Sequence, residues 1–271
     1  MIVHEALADL ADALLPVAEH AARQAGHLLL DMRHQNTAEQ KSSATDLVSE
    51  ADRTAEALIR DVLRRARPAD SIVGEELAPR DGSSSVTWVV DPLDGTSNYL
   101  RGYPGWSVSV AAEHEGKTAV GVVYDPTHGL LYSAALRGAT VNGRPIRVSA
   151  TTNLASSLIG IGFSYDAADR ARQGAALARA LADIGDVRRG GSAALELCHV
   201  AAGALDGFVE DDLQPWDWAA GAHLVEQAGG LTAPLRRVST HGVIAANSAL
   251  WEPLHHAFGL GLSTGRTPSR S

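Results

Sequence analysis

A single cysteine, Cys198, stands in a chain of 271 residues, so no internal disulfide can form and the thiol content fits a reducing cytoplasm. It lies in an apolar helical pattern and reads as a buried structural thiol rather than a nucleophile. Long hydrophobic runs are also missing; none approaches the about 20 apolar residues of a membrane span. The N-terminus has no basic region ahead of its apolar stretch and carries Glu5, Asp9 and Asp12 early, which argues against a signal peptide. Positive charge is in deficit. A net charge of −9 sets nucleic acid and anionic membranes aside as main partners. An anionic substrate stays open, because a bound metal reverses the local field. The eleven histidines show no paired zinc spacing. Internal repeats and low-complexity segments are absent.

What is present is ample core material, 45% hydrophobic, enough for one large domain or two closely packed ones. Apolar residues at three- and four-residue steps predict a long amphipathic helix over 5–32, with a polar, mobile loop over 34–43. Ser49 with Asp52 resembles a capping box that opens a second helix, ended by Pro68. A short strand over 71–73 leads into Gly74-Glu75-Glu76. Alternating patterns around 106–110, 119–124 and 130–134 read as an antiparallel meander, with turns at Glu115-Gly116, Thr127-His128-Gly129 and Asn142-Gly143. Beyond about residue 155 strands (158–161, 205–210, 243–245) alternate with helices (167–184, 192–202, 215–228, 248–258). The change near 150 is the candidate boundary, giving an N-terminal α+β half over 1–150 and a C-terminal α/β half over 151–262. Residues 263–271 read as a frayed, flexible tail.

One stretch carries most of the chemistry: Val89-Val-Asp-Pro-Leu-Asp-Gly-Thr-Ser-Asn98. An apolar strand ends in two carboxylates three apart, Asp91 and Asp94, followed by Gly95-Thr96. Hard oxygen ligands and a turn able to offer N–H groups to an anion suggest a divalent metal beside a phosphate. Two other places put acids at element ends: Glu75 and Glu76 after a strand, and Asp217 in the first turn of a helix. Taken singly, each has a plain reading as a dipole interaction or a solvated surface. If they converge, two charges about 4 Å apart repel by about 4 kcal/mol at an effective dielectric near 20. Such a group raises its pKa values or binds a cation, and oxygen donors without Cys or His favour Mg²⁺, or Mn²⁺ in its place. The stretch also invites comparison with haloacid-dehalogenase-type phosphatases, whose Asp-x-Asp-Gly-Thr uses a covalent Asp. Here Pro92 occupies the position such a mechanism would need, so a metal-activated water is the better nucleophile.

Gly74-Glu75-Glu76, Trp88-Val-Val-Asp-Pro-Leu-Asp-Gly-Thr96 and Trp216-Asp-Trp-Ala-Ala-Gly221 resemble the signatures of the inositol monophosphatase family, the lithium-sensitive, magnesium-dependent phosphatase superfamily. Lys41-Ser-Ser, Asp46-Leu-Val-Ser-Glu-Ala-Asp52 and Gly191-Ser-Ala-Ala194 look like that family's too, and the resemblance runs from about Ala18 to Phe258. It implies a layered αβαβα sandwich of the inositol monophosphatase and fructose-1,6-bisphosphatase type. It implies Glu75 and Asp91 with the Leu93 carbonyl for one Mg²⁺, and Asp91, Asp94 and Asp217 for a second. A third ion would share Glu75. Most of these ligands fall in the first half, Asp217 and the substrate contacts in the second. The Gly95 and Thr96 amides would bind phosphate, and Thr96 paired with Asp52 would orient the attacking water. Ser192, Ala193 and Glu210, beside Asp94 and Asp217, would meet the substrate. Glu76 would stand behind the metals and Lys41 near them. The family often has Thr where Ser49, Ala51 and Ser192 stand.

The reaction so implied is hydrolysis of a small phosphomonoester without a phosphoenzyme, inhibited by Li⁺. Inositol 1-phosphate leads among substrates. Only eleven residues separate Glu76 from Trp88, whereas branches acting on 3′-phosphoadenosine 5′-phosphate tend to be longer there. Histidinol phosphate and fructose 1,6-bisphosphate are alternatives; Arg188 and Arg189 could serve a second phosphate or a subunit interface. A catalytically idle regulatory homologue is the alternative of another class. A cytoplasmic homodimer is the family expectation.

Overall fold

The computed structural model describes residues 2–36, 44–236 and 241–260. Lys41, most of the predicted 34–43 loop and the predicted tail lie outside the described residues. Helix α1 (Ile2–Asn36) buries a stripe of Leu14, Ala18, Ala21, Ala25 and Leu29, the spacing of one helical face. Gly26 lets it approach the first sheet closely: a Cβ there would stand 2.5 Å from the Tyr124 ring. Helix α2 (Ala44–Ala66) begins earlier than the sequence suggests, so Ser49 falls inside it rather than at its start. No glycine or proline interrupts 44–49, and nothing there stops the helix from extending.

Strands β1 (Ser71–Gly74), β2 (Val86–Asp94), β3 (Ser107–His114), β4 (Lys117–Asp125), β5 (Leu130–Ala135), β6 (Gly138–Val141) and β7 (Arg144–Pro145) form one sheet in chain order. Only β1 and β2 run parallel; the rest is a meander. Its turns carry positive φ at Glu115-Gly116 and Asn142-Gly143, as those dipeptides predict. Between β2 and β3 lies the short helix α3 (Thr96–Arg101).

A second sheet has the order β11-β12-β10-β8-β9, from β8 (Leu158–Ile161), β9 (Asp186–Arg188), β10 (Gly207–Asp211), β11 (Leu231–Arg236) and β12 (His241–Ala246). The sequence misses β6, β7, β9 and β11. All are short or lie at an edge. Pro234 argues against a strand, but β11 is an edge strand, where a missing N–H breaks no ladder. Helices α4 (Ala167–Ala180), α5 (Ala193–Ala201), α6 (Pro215–Gln227) and α7 (Trp251–Ala257) complete the chain. Both α4 and α7 are shorter than predicted, α4 because the chain leaves the helix in turns at 181–184 before Gly185.

The layers are α1 and α2, the first sheet, α5 and α6, the second sheet, then α4 and α7. Three apolar clusters fill the four gaps, and the middle cluster joins both sheets through α5 and α6. This is the αβαβα sandwich. The change of sheet falls between 145 and 158.

Candidate active site

Strand β2 buries both faces and still ends in acids. Asp91 is 1% exposed, and its Oδ1 accepts the Leu93 amide at 2.9 Å. In a regular strand residues three apart face opposite ways. Pro92 has no N–H for the ladder, and the register of β2 against β3 slips between Asp91 and Asp94. Both carboxylates thereby reach one cavity of about 870 Å³, mouth included. Gly95 then turns the chain at φ 91° into α3; a Cβ there would lie 2.8 Å from the Gly105 carbonyl.

The other walls come from distant sequence. Glu75 follows β1, Glu210 is the penultimate residue of β10 and Asp217 lies in the first turn of α6, and all three line the same cavity with Leu93, Gly95, Thr96 and Ala193. Asp217 has two tasks. Its Oδ2 accepts the Gln214 amide at 2.6 Å in a reciprocal helix cap, the plain reading of an acid in a first turn, and its carboxylate also borders the cavity. Asp94 is anchored from the far half of the chain: its Oδ2 accepts the Ser192 hydroxyl at 2.5 Å and the Ala194 amide at 2.8 Å. Ser192 is therefore a helix cap turned inward, 1% exposed, and its hydroxyl is engaged by Asp94 and the Leu195 amide rather than by the cavity.

Asp52, on α2, is buried, and among the described residues its Oδ1 has no hydrogen-bond partner. Among the described residues no hydrogen bond joins it to Thr96, whose hydroxyl instead donates to the Leu93 carbonyl at 3.0 Å. The loop after β1 is held by a pair that sequence reading overlooked. Glu56, fully buried on α2, accepts the Glu76 amide at 2.7 Å and pairs with Arg60 at 2.6 Å. Arg60 in turn donates to the Leu77 and Ala78 carbonyls, each at 2.9 Å. The available signal was an acid and a base four apart on one helix. The Glu76 side chain itself lies 3.9 Å from Arg53.

Burial and mutual repulsion push these acids up together. Burial, then Glu76 and Glu75, raise Asp52 to about 8. Burial, then Glu76 and Asp94, raise Glu75 to about 7. Asp217 rises to about 7 through burial and Asp94. Burial raises Asp94 to about 6 against the hydrogen bonds from Ser192 and Ala194. Asp91 is driven well above the carboxylate range by burial, Glu75 and Asp94. Glu210 reaches about 8 through burial and Asp94. Among the described residues no three Asp, Glu, His or Cys side chains close into a ready-made metal cage; the acids stand around the cavity and share one field. Hard oxygen donors that repel one another fit Mg²⁺ or Mn²⁺.

Arg189 also borders the cavity, and its charge opposes the rise of Asp94, Glu196 and Glu210. Its neighbour Arg188 points away and pairs with Asp186 at 2.7 Å, so the two arginines part company. Further lining residues not singled out in the sequence are Phe163, Ser164, Tyr165, Asp212 and Gln214. Asp212 holds a left-handed φ of 72° and accepts the Ser164 hydroxyl. Nothing in their local sequence marks them.

The model of the inositol monophosphatase family matches residues 10–258. A relative named Nus factor SuhB, from Escherichia coli (strain K12), is 40% identical over 225 residues, 81% of this chain and 84% of the relative. A relative named inositol-1-monophosphatase, from Mycobacterium leprae (strain TN), is 46% identical over 199 residues, 70% of this chain and 68% of its own. A solved structure, the inositol monophosphatase from Anabaena (Nostoc) sp. PCC 7120, superposes with a TM-score of 0.81 at 36% identity, covering 92% of this chain and 96% of that one.

Proposed function

The chain belongs to the inositol monophosphatase family, and from that premise we propose that it is a Mg²⁺-dependent phosphomonoesterase that hydrolyses inositol 1-phosphate. The observation that carries this reading is one cavity bordered by Glu75, Asp91, Asp94 and Asp217 with the Gly95-Thr96 turn between them. Glu75, Asp91, the Leu93 carbonyl, Asp94 and Asp217 would hold two or three ions. The chemistry a divalent ion supplies here is a more acidic water and positive charge against the leaving oxygen.

The chain's own residues do the rest. The Gly95 and Thr96 amides, at the start of α3, take the phosphate oxygens. Thr96 and Asp52 orient the attacking water; for this the Thr96 hydroxyl turns from the Leu93 carbonyl towards Asp52, whose Oδ1 is ready to accept. Ala193 and Glu210 face the polyol, and a carboxylate suits vicinal hydroxyls. Asp217 borders the side on which the alcohol leaves. Glu76 stands behind Glu75. The Mycobacterium leprae relative's name and the short 77–87 segment favour inositol 1-phosphate over other small phosphorylated metabolites.

A second reading, a regulatory binding protein without turnover, draws on the relative named a Nus factor. Each of the four side-chain ligand positions, Glu75, Asp91, Asp94 and Asp217, is filled by an acid in this chain, which favours turnover. The test is phosphate release with Mg²⁺ across inositol 1-phosphate, fructose 1,6-bisphosphate, histidinol phosphate and 3′-phosphoadenosine 5′-phosphate. Preference for inositol 1-phosphate is the expected result. No release from any of them would sink the phosphatase reading, and preference for another would reassign the substrate.

A further inference from the structure

We propose that Asn98 and Glu196 are positioning residues that grip one peptide unit pair, at Gly190, from both ends and so set the start of α5 against Asp94. The inference rests on the phosphatase reading of the cavity for its consequence, though not for its geometry. Neither side chain lines the cavity. The Gly190 amide donates to Glu196 Oε1 at 2.6 Å, and the Gly190 carbonyl accepts from Asn98 Nδ2 at 2.7 Å. The same Nδ2 donates to the Gly105 carbonyl, also at 2.7 Å. Two carbonyl partners require the NH₂ group on that side of the carboxamide, so an aspartate of the same shape could not replace it.

The grip excludes side chains from the loop it holds. A Cβ at Gly190 would lie 2.2 Å from Glu196 Oε1. Gly191 has a φ of 97°, and a Cβ there would lie 2.8 Å from Asn98 Nδ2. On one side of this loop is Arg189 at the cavity wall; on the other are Ser192 and Ala194, which hold Asp94 Oδ2. Asn98 belongs to α3, immediately after the Asp94-Gly95-Thr96 turn, and Glu196 to α5. One glycine thus registers the turn that carries Asp94 against the helix that anchors it. Slackening the grip lets the start of α5 drift from Asp94, and an acid out of place by a fraction of an ångström is a poor partner in catalysis.

Four variants of the full chain test this: Asn98→Asp, Asn98→Ala, Glu196→Ala and Glu196→Gln. Amide hydrogen exchange at 190–195 is read first, because it needs no turnover. It should rise about tenfold in the first three and fall back towards wild type in Glu196→Gln, which restores an acceptor. Phosphate release is then measured against Mg²⁺ and substrate. For Asn98→Asp, kcat should fall about a hundredfold. Its KM should stay within about threefold, and more Mg²⁺ should be needed for half-maximal rate. Unchanged exchange at 190–195, or rates that merely track the folded fraction, would overturn the proposal. Should Asn98→Asp fail to fold, the contrast of Glu196→Ala with Glu196→Gln decides the same point by the same exchange. A wild-type protein without phosphatase activity would defeat the functional reading alone, since the exchange pattern stands apart from it.

Discussion

Asp217 shows how one carboxylate serves structure and chemistry together. Its Oδ2 caps α6 through the Gln214 amide, and the same group borders the cavity. The two tasks separate by substitution. Asp217→Asn keeps an acceptor for the cap but loses the charge; Asp217→Ala loses both. We expect phosphate release to fall by at least about a hundredfold in both variants. Only Asp217→Ala should also lose about 1 kcal/mol of stability, the usual worth of a cap. Calorimetry beside the phosphate assay checks the pair, and wild-type turnover in Asp217→Asn would remove it from the ligand set. Asp91→Asn should be as damaging to turnover, because Asp91 is the most buried of the acids at the cavity.

At the scale of elements, the site depends on close contacts that hold strands and helices at fixed distances. Gly121 on β4 lies under α6: a Cβ there would stand 2.5 Å from the Ala220 carbonyl oxygen, a backbone atom that cannot swing aside. Gly121→Ala should therefore cost about 1–3 kcal/mol in urea unfolding, the range for an overpacked core. It should also disturb turnover, since α6 carries Asp217. A stability equal to wild type would show that the α6 layer yields more readily than this packing implies. The Glu56–Arg60 pair makes the same argument for α2. Glu56→Ala leaves the Glu76 amide without its acceptor and a half-buried Arg60 without its carboxylate, at about 1–3 kcal/mol for the lost charged hydrogen bonds. It frees the loop that carries Glu75, and limited proteolysis at 75–80 should report it.

At the scale of the whole molecule, the chain brings at least five acids with raised pKa values to one side of the sandwich, in a protein already at net charge −9. A carboxylate whose folded pKa lies above its unfolded one binds more protons when folded, so it stabilises the fold at low pH and loses that contribution as pH rises through the folded value. With Asp94 at about 6, Glu75 and Asp217 at about 7 and Asp52 and Glu210 at about 8, the window is about pH 6–8. In chelator, Tm should fall as pH is raised through that window. Saturating Mg²⁺ should flatten the fall and raise Tm most at its alkaline end. A chelated protein whose Tm is level from pH 6 to 8 would mean that the acids do not share the field described here.

The sequence by itself determined the kinds of donor and their local frames. Val89 to Asn98 announces a buried strand that ends in acids and turns at a glycine, because hydrophobic runs, Pro92 and Gly95 act through neighbouring residues alone. The long first helix, the meander and its Asn142-Gly143 turn are legible for the same reason. Tertiary structure decided everything that depends on residues far apart in the chain. It set Asp217 opposite Asp91, and it turned Ser192 inward onto Asp94. It sent Arg189 to the cavity and Arg188 to solvent, and it let Pro234 stand in a strand by placing that strand at an edge. It also supplied Glu56 and Asn98, ordinary polar residues in sequence, with the backbone groups they hold. Periodicity and turn chemistry are local, while the repulsion that gathers cations and the hydrogen bonds that fix each acid exist only once the two sheets have packed on α5 and α6.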